Sequence, residues 1–267
     1  ELTTSDELFS GRRRRKSEAE LAGMRRAAGA AVAAFELAAA MLRDARIDGE
    51  QLRDGDGVLT SERVRERIRE ICARAGAPAP PDVIVVTAGP DPPGGHEAGS
   101  GPLRAHVPVV IDLWPQDELS GCWADMTRTF VRGDVSDAVG ALHELVLDAH
   151  RRALAAVKPG ILGVELYGVA CDPIEAAGYP TQRTKAPGES LDRGFYFALG
   201  HGVGLEVHEA PYLGLLGRDA LVEGDVVAVE PGVIVPGLGE SRLEDLVLVG
   251  PAGGENLTGS FPYGLAP

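Results

Sequence analysis

The sequence predicts an α+β fold in which helices flank a curved, largely antiparallel sheet. Long stretches rich in Ala, Leu and Glu, with apolar residues near helical spacing, occur in both halves of the chain. Short Val-rich runs bounded by Gly and Pro follow each helical stretch and dominate the last third. This recurrence of a helix pair followed by strands suggests two structurally related halves, although no residue-level repeat accompanies it.

The first elements along the chain are two helices and a strand. Residues 17–46 form a long helix by their apolar spacing, and a Thr-Ser-Glu cap begins a second helix over 60–75. The Pro-rich residues 77–81 end that helix, and a strand over 83–86 follows. The Gly- and Pro-rich segment 87–103 is predicted to be a loop.

A hairpin and a second helix pair come next. Residues 107–113 and 122–131 are apolar runs separated by a polar turn, which predicts an antiparallel hairpin. Ser136 caps a helix over 136–157 that Lys-Pro-Gly ends, and another helix covers 164–177. Short apolar runs separated by Gly and Pro then predict four strands, at 195–199, 226–229, 233–235 and 243–249.

Length and composition bound the domain organisation. A chain of 267 residues with 44% hydrophobic residues can bury a large core. We predict one domain over 17–267, preceded by an N-terminal segment or linker over 1–16. The first residue is Glu1 rather than Met, which is consistent with a start inside a longer polypeptide or after processing.

Charge and cysteine content bound the partners and the compartment. A net charge of −14 argues against nucleic acid, and the basic run at 12–16 is interpreted as a solvated segment. No apolar run approaches the roughly 20 residues of a membrane span, so no membrane partner is expected. The three cysteines are far apart and odd in number, which favours a cytoplasmic protein without disulfides.

Two acidic residues on the predicted hairpin are the first candidates for chemistry. Asp112 ends one apolar strand and Asp125 lies within the next, so a hairpin would bring their carboxylates close together. Paired carboxylates repel unless they share a proton or a cation. Their separation specifies no metal by itself, and two surface carboxylates remain the alternative.

Histidines and further acids follow in the last third. His201 stands in Gly-His-Gly-Val-Gly, where the glycines allow close backbone approach, and His208 follows seven positions later. Glu230 comes directly after an apolar run and before Pro-Gly. Strand alternation puts Arg242 and Glu244 on one face, so Arg242 can orient that carboxylate.

Four carboxylates and one imidazole among these residues could act as metal ligands. Such oxygen and nitrogen ligands suit a hard or borderline divalent ion such as Mn²⁺, and they are poor for a thiolate-type zinc site. The five residues are Asp112, Asp125, His201, Glu230 and Glu244. The motif order resembles the pita-bread (creatinase/aminopeptidase) metallopeptidases, specifically the proline-directed branch of Xaa-Pro aminopeptidases and Xaa-Pro dipeptidases (prolidases). The motifs are Asp-x-Thr-Arg-Thr, Gly-His-Gly-x-Gly, Val-His-Glu, Glu-Pro-Gly and Arg-x-Glu-Asp.

The resemblance implies the pita-bread fold for 17–267 and a site that holds two divalent metal ions, with Mn²⁺ expected and Co²⁺ or Zn²⁺ as alternatives. The implied metal ligands are Asp112, Asp125, His201, Glu230 and Glu244, with Arg242 supporting Glu244. The resemblance further implies hydrolysis of Xaa-Pro peptides by a hydroxide bridging the ions. The implied catalytic residues are His96 and His208, which stabilise the oxyanion, and Glu230, which transfers the proton.

Several features depart from the family pattern. Trp114 and Phe197 replace residues that relatives usually carry, and the turn between Asp112 and Asp125 is longer than expected. The family's amino-terminal domain, which helps to select substrate and to form a homodimer, is absent from this sequence. The alternatives are a methionine aminopeptidase-like exopeptidase and a catalytically inactive scaffold protein on the same fold.

Overall fold

The computed structural model describes residues 7–87, 97–186, 188–189 and 192–267. Helices and strands alternate in blocks along the chain. The helices within the described residues are α1 (Glu7–Arg13), α2 (Glu18–Asp44), α3 (Ser61–Arg74), α4 (Asp137–Ala156) and α5 (Gly163–Ala176). Within the same residues, no helix is both long and apolar enough to cross a membrane.

The strands of the described residues form four antiparallel sheets. The strands of the first half are β1 (Arg46–Asp48), β2 (Gln51–Asp54), β3 (Gly57–Val58), β4 (Ile84–Thr87), β5 (Pro108–Leu113) and β6 (Met126–Val131). Those of the second half are β7 (Gly200–Gly202), β8 (Glu209–Leu213), β9 (Val226–Val229), β10 (Gly232–Val235), β11 (Gly239–Arg242), β12 (Asp245–Gly250) and β13 (Gly253–Asn256). The sheet orders are β1-β2-β3, β4-β5-β6, β10-β11 and β13-β12-β9-β7-β8.

The starts of three helices follow from their capping residues. The Ser17 hydroxyl accepts a hydrogen bond from the Glu20 amide, and the Glu20 carboxylate accepts one from the Ser17 amide, which is a capping box. Thr60 and Ser136 cap α3 and α4 through their hydroxyl groups. All four helices predicted from the sequence are confirmed to within a few residues, whereas the short α1 was not foreseen.

Two hydrophobic cores support the predicted division into halves. The first core packs α2 and α3 against β4, β5 and β6, with Phe35 and Phe130 at its centre. The second packs α4 and α5 against β9, β10 and β12. A smaller cluster, which includes Met24 and Ala28 of α2 and Val226 and Ala228 of β9, joins the two cores. The fold is therefore the predicted α+β arrangement of helices on antiparallel sheets.

Three of the predicted strands differ in the structure: two begin later in the chain, and one does not form. Asp125 lies just before β6 rather than within a strand, because the amides of Trp123 and Ala124 donate to loop carbonyl oxygens instead of to β5. Residues 195–199 do not form a strand: Phe195 makes a single bridge, to Thr181, and its ring packs on Tyr167 of α5. The predicted strand 243–249 begins later, at Asp245, because the amides of Leu243 and Glu244 donate to the Pro231 and Thr127 carbonyl oxygens rather than to β9.

The basic run predicted to be solvated is partly buried. The Arg14 side chain is 15% exposed and the Lys16 side chain is 2% exposed, because both form ion pairs with acidic residues of the second half. Since a charge leaves water only when it is paired, these two cations hold the N-terminal segment against the domain. Arg12 and Arg15 stay exposed, as expected for this run.

Candidate metal centre

The five predicted metal ligands line a single cavity of about 330 Å³. Two carboxylates come from the first half, Asp112 from β5 and Asp125 from the residue before β6. The other three groups come from the second half, His201 from β7, Glu230 from the end of β9 and Glu244 from the link between β11 and β12. The cavity therefore lies where the two halves meet.

Close backbone approach explains why glycines flank His201. A Cβ atom on Gly200 would lie 1.9 Å from the Ala228 carbonyl oxygen, and one on Gly202 would lie 2.2 Å from the Ala210 carbonyl oxygen. Only glycine fits at either position, so β7 can run tightly between β8 and β9. The imidazole of His201 is thereby held over the cavity between the two neighbouring strands.

The distances within the cavity are those of a cluster of potential ligands. His201 Nε2 lies 3.8 Å from Asp125 Oδ2 and 3.6 Å from Glu230 Oε1. One ligand atom from each of Asp125, His201 and Glu244 lies within 4.8 Å of the other two. A single ion could reach all three atoms, since two metal–ligand bonds of about 2.0–2.6 Å each span up to about 4–5 Å.

The carboxylates of this cavity are electrostatically unfavourable by themselves. Burial raises the pKa of Asp125 well above its ordinary value, and the negative charges of Asp112 and Glu230 raise it further. Burial likewise raises the pKa of Glu230 and Glu244, and Asp125 adds to the rise at Glu244. Because Asp125, Glu230 and Glu244 resist ionisation in this setting, the cavity favours a bound cation.

Two side chains outside the predicted ligand set hold individual carboxylates. The Thr127 hydroxyl donates to Glu244 Oε2 at 2.7 Å, and its backbone pairs with Glu244 between β6 and the β11–β12 link. Arg242 Nη2 lies 3.1 Å from Asp112 Oδ2, and Arg242 Nε lies 3.4 Å from Glu240 Oε1. The ion pairs of Arg242 are thus with Asp112 and Glu240, while Thr127 contacts Glu244.

Sequence reasoning missed the roles of Thr127 and Glu240. Thr127 is two positions after Asp125 and is fully buried, so strand alternation could have identified it as a neighbour of the ligands. Glu240 is two positions before Arg242 and shares its face of β11, yet nothing in the sequence marks it as buried. An isolated acidic residue near a turn is normally solvated.

His208 lies at the mouth of the cavity. Its ring centroid is 4.2 Å from that of His201, with the rings nearly perpendicular, and the side chain is open to solvent. Trp114, Val207 and Asp82 complete the lining of this cavity. His96, the other predicted catalytic histidine, lies outside the described residues.

A second cavity adjoins the first at His201. It shares His201, His208 and Glu230 with the first cavity and adds the aromatic side chains of Phe197 and Tyr212. Phe197 is held by an edge-to-face contact with Phe195 at 5.1 Å between centroids. The shared residues therefore face two spaces, and a substrate could occupy both sides of the candidate metal centre.

The donor set of the cavity fits divalent metal ions. Four buried carboxylates surround the cavity, whereas Arg242 is the only arginine or lysine that an ion pair brings to them within the described part of the chain. Asp125 Oδ1 is buried without a hydrogen-bond donor among the described residues. Carboxylate oxygens and one imidazole are the donor set of hard or borderline divalent metals.

Comparison with known proteins identifies similar chains. The family model for metallopeptidase family M24 matches residues 22–251. A Xaa-Pro dipeptidase of Pyrococcus furiosus is 39% identical over 137 residues, which are 51% of this chain and 35% of that protein. Xaa-Pro dipeptidase is the activity in that protein's name, and the match spans about a third of its length.

Solved structures extend the similarity to nearly the whole chain. The prolidase from Pyrococcus horikoshii OT3 superposes with a TM-score of 0.80 at 30% identity, covering 95% of this chain and 65% of that one. The X-Pro aminopeptidase from Thermotoga maritima MSB8 gives a TM-score of 0.80 at 29% identity, covering 97% of this chain and 66% of that one. These structures are about half as long again as the present chain.

Proposed function

The chain belongs to metallopeptidase family M24, and from this premise we propose that it is a metallo-exopeptidase that cleaves the Xaa-Pro bond. The substrates would be peptides with proline in second position or Xaa-Pro dipeptides. The observation that carries the proposal is the convergence of four buried carboxylates and His201 in one cavity. Similarity to a Xaa-Pro dipeptidase and to an X-Pro aminopeptidase supports this substrate class.

We propose that two divalent ions, Mn²⁺ first among the candidates, are held by the five ligands of the cavity. When bound, such ions lower the pKa of water and polarise the peptide carbonyl group. The ligands are Asp112, Asp125, His201, Glu230 and Glu244, with Arg242 behind Asp112 and Thr127 behind Glu244.

Glu230 and His208 are the residues proposed to act on the substrate. Glu230 lines both cavities beside His201, which places its carboxylate where it can accept a proton from water and pass it to the leaving nitrogen. His208 stands beside His201 on the open side, where its ring can donate a hydrogen bond to the carbonyl oxygen as negative charge develops. His96 is proposed to assist His208.

The two cavities suggest how a substrate is accommodated. A peptide that spans both would place its scissile carbonyl near His201, His208 and Glu230, which line both spaces. Trp114 would restrict the space in the first cavity, and Phe197 would restrict it in the second. These two side chains are therefore proposed to determine residue preference.

The remaining expectations concern assembly and location. A homodimer is implied by the family resemblance, and light scattering on the purified protein tests it. We propose a cytoplasmic location, which the three buried cysteines without a disulfide support among the described residues. Fractionation of the producing cells tests that location.

Digestion of a peptide library with added Mn²⁺, Co²⁺ or Zn²⁺ tests the activity. The library contains Xaa-Pro dipeptides, longer Xaa-Pro peptides, and matched peptides with Ala in place of Pro or with Met-Gly at the amino terminus. We expect cleavage of the Xaa-Pro bond alone and loss of that cleavage in Glu244→Gln. Preference for Met-Gly peptides would favour the methionine aminopeptidase alternative, and absence of both cleavage and metal binding would favour the scaffold.

A further inference from the structure

Lys16 and Glu209 form a buried ion pair beside the candidate metal centre. Lys16 Nζ donates to Glu209 Oε1 at 2.5 Å, and the two side chains are 2% and 4% exposed. Lys16 Nζ also donates to the Arg13 carbonyl oxygen at 2.6 Å, and the Lys16 amide donates to the Gly224 carbonyl oxygen at 3.3 Å. The ammonium group is thus fixed by its own segment and directed at one carboxylate.

Glu209 connects this ion pair to both histidines of the site. It directly follows His208 in the chain, and its backbone pairs with Gly202, the residue after His201, across a bulge in the β7–β8 ladder. Its carboxylate lies against Gly204, where a Cβ atom would come within 2.4 Å of Glu209 Oε1. The chain between His201 and Glu209 therefore folds back on itself, with the Glu209 backbone paired to Gly202 and the Glu209 carboxylate packed against Gly204.

Two further ion pairs hold the same N-terminal segment to the second half. Arg14 donates to both carboxylate oxygens of Asp225, at 3.0 and 2.7 Å, and to the Ala220 carbonyl oxygen at 2.6 Å. Arg13 Nη1 lies 3.2 Å from Glu206 Oε1, between the two histidines in sequence. Asp225 is fully buried and accepts two hydrogen bonds from the Arg14 guanidinium, so Arg14 also anchors the segment.

We propose that residues 13–16 are a clasp that positions the His208 loop, with Lys16 as the positioning residue. A buried carboxylate without a cation draws in water or a proton, either of which would loosen the Glu209 side chain from Gly204. His208, one peptide bond away, would then lose its place over the cavity. None of the five proposed metal ligands lies within residues 203–209, and Asp112 and Glu244 have their own contacts with Arg242 and Thr127, so metal binding should be retained.

The proposal rests on the proposed function, in which His208 contacts the reacting carbonyl group. Because that contact strengthens only as charge develops, its misplacement should lower kcat more than it raises KM. Hydrogen exchange of residues 203–213 provides a readout that needs no substrate. Faster exchange there would report release of the loop even in a protein with no peptidase activity.

The variants are Lys16→Met, Glu209→Gln and the double mutant, each saturated with Mn²⁺. We expect each single substitution to lower kcat about tenfold or more, with the bound metal per chain unchanged and exchange of 203–213 accelerated. The kcat of the double mutant should lie within about twofold of that of the slower single mutant, since both substitutions break the same interaction. Lys16→Arg, which keeps the charge, should recover part of kcat.

Arg25→Met is the matched control. It removes a basic side chain from an ion pair with Glu255 in which both side chains are about half exposed, at 47% and 53%. We expect its kcat and its exchange profile to equal those of the unmodified protein.

Lys16→Met with unaltered kcat and unaltered exchange would overturn the clasp. Loss of metal from Lys16→Met in proportion to kcat would also overturn it, because the segment would then support the whole site. If the unmodified protein cleaves no peptide, the proposed peptidase function fails, and the exchange comparison alone decides the clasp.

Discussion

Replacing Thr127 by Val removes a single hydroxyl group from behind the metal centre. That hydroxyl donates to Glu244 Oε2 at 2.7 Å in a fully buried setting, so no water can take its place without rearrangement. A hydrogen bond to a charged group contributes about 1.5–3 kcal/mol. At about 1.4 kcal/mol for each factor of ten, the loss corresponds to roughly 10- to 100-fold weaker metal binding.

The pH dependence of this weakening follows from the protonation of Glu244. Burial already raises the pKa of Glu244, and the Thr127 hydroxyl opposes that rise by stabilising the carboxylate. Without the hydroxyl the pKa rises further, so a metal ion must displace a proton that is held more tightly. The weakening should therefore be greatest at acidic pH and smaller at alkaline pH.

Mn²⁺ titration followed by electron paramagnetic resonance of the free ion measures the affinity. Thr129→Val is the control, because Thr129 lies two positions further along β6 and bonds to the backbone of Arg242 rather than to a ligand. We expect Thr129→Val to lower the urea midpoint of unfolding and to keep its metal affinity. An affinity of Thr127→Val within twofold of the original, or an equal weakening by Thr129→Val, would refute the reasoning.

Three other outcomes are expected. His208→Ala should keep its metal and lose about 100-fold or more in kcat, measured by metal analysis and Xaa-Pro turnover; full activity would exclude the oxyanion role. The metal-free protein should lose stability as pH rises through the raised pKa values of Asp125, Glu230 and Glu244, because its native state binds protons that the unfolded state releases. Added Mn²⁺ should abolish that loss in urea unfolding at a series of pH values, and an unaltered pH profile with Mn²⁺ would count against the site. Burial lowers the pKa of His150 to about 4 from an ordinary value of 6.5, so as pH falls this histidine takes up a proton in the unfolded chain before it does so in the native protein. Between about pH 6.5 and 4, the free energy of unfolding of the metal-free protein should therefore fall by about 3 kcal/mol more than that of His150→Phe. Unfolding free energies that change in parallel with pH in the two proteins would contradict this.

The helices could be predicted because their signals are local. The capping box at Ser17 and the hydroxyl caps of Thr60 and Ser136 fix each start within one residue. The apolar periodicity then predicts how far each helix extends. By contrast, β1, β2 and β3 carry mainly polar and exposed side chains and therefore give no hydrophobic pattern.

The members of the site could be predicted from motif order, whereas their contacts could not. Arg242 and Glu244 alternate on one face in sequence, but the chain changes strand partner at Glu244. This change brings Glu244 to Thr127 and leaves Arg242 beside Asp112. Such a switch depends on pairings between distant segments, which no local pattern encodes.

The interpretation of the basic run failed for a similar reason. A run of like charges is normally solvated, and within the run nothing distinguishes Lys16 from Arg15. Its burial depends on Glu209, which lies 193 positions away in the chain. Only a tertiary structure can show which member of the run has a partner.

The division of the ligands between the two halves has a consequence for how the protein matures. A chain in which only the first half had folded would present two aspartates, and one in which only the second half had folded would present a histidine and two glutamates. The full set of five ligands exists only once the two halves have docked. Because metal affinity grows with the number of ligands that converge, the docked protein should bind the ion more tightly than either half, and metal binding would then favour the correctly assembled molecule.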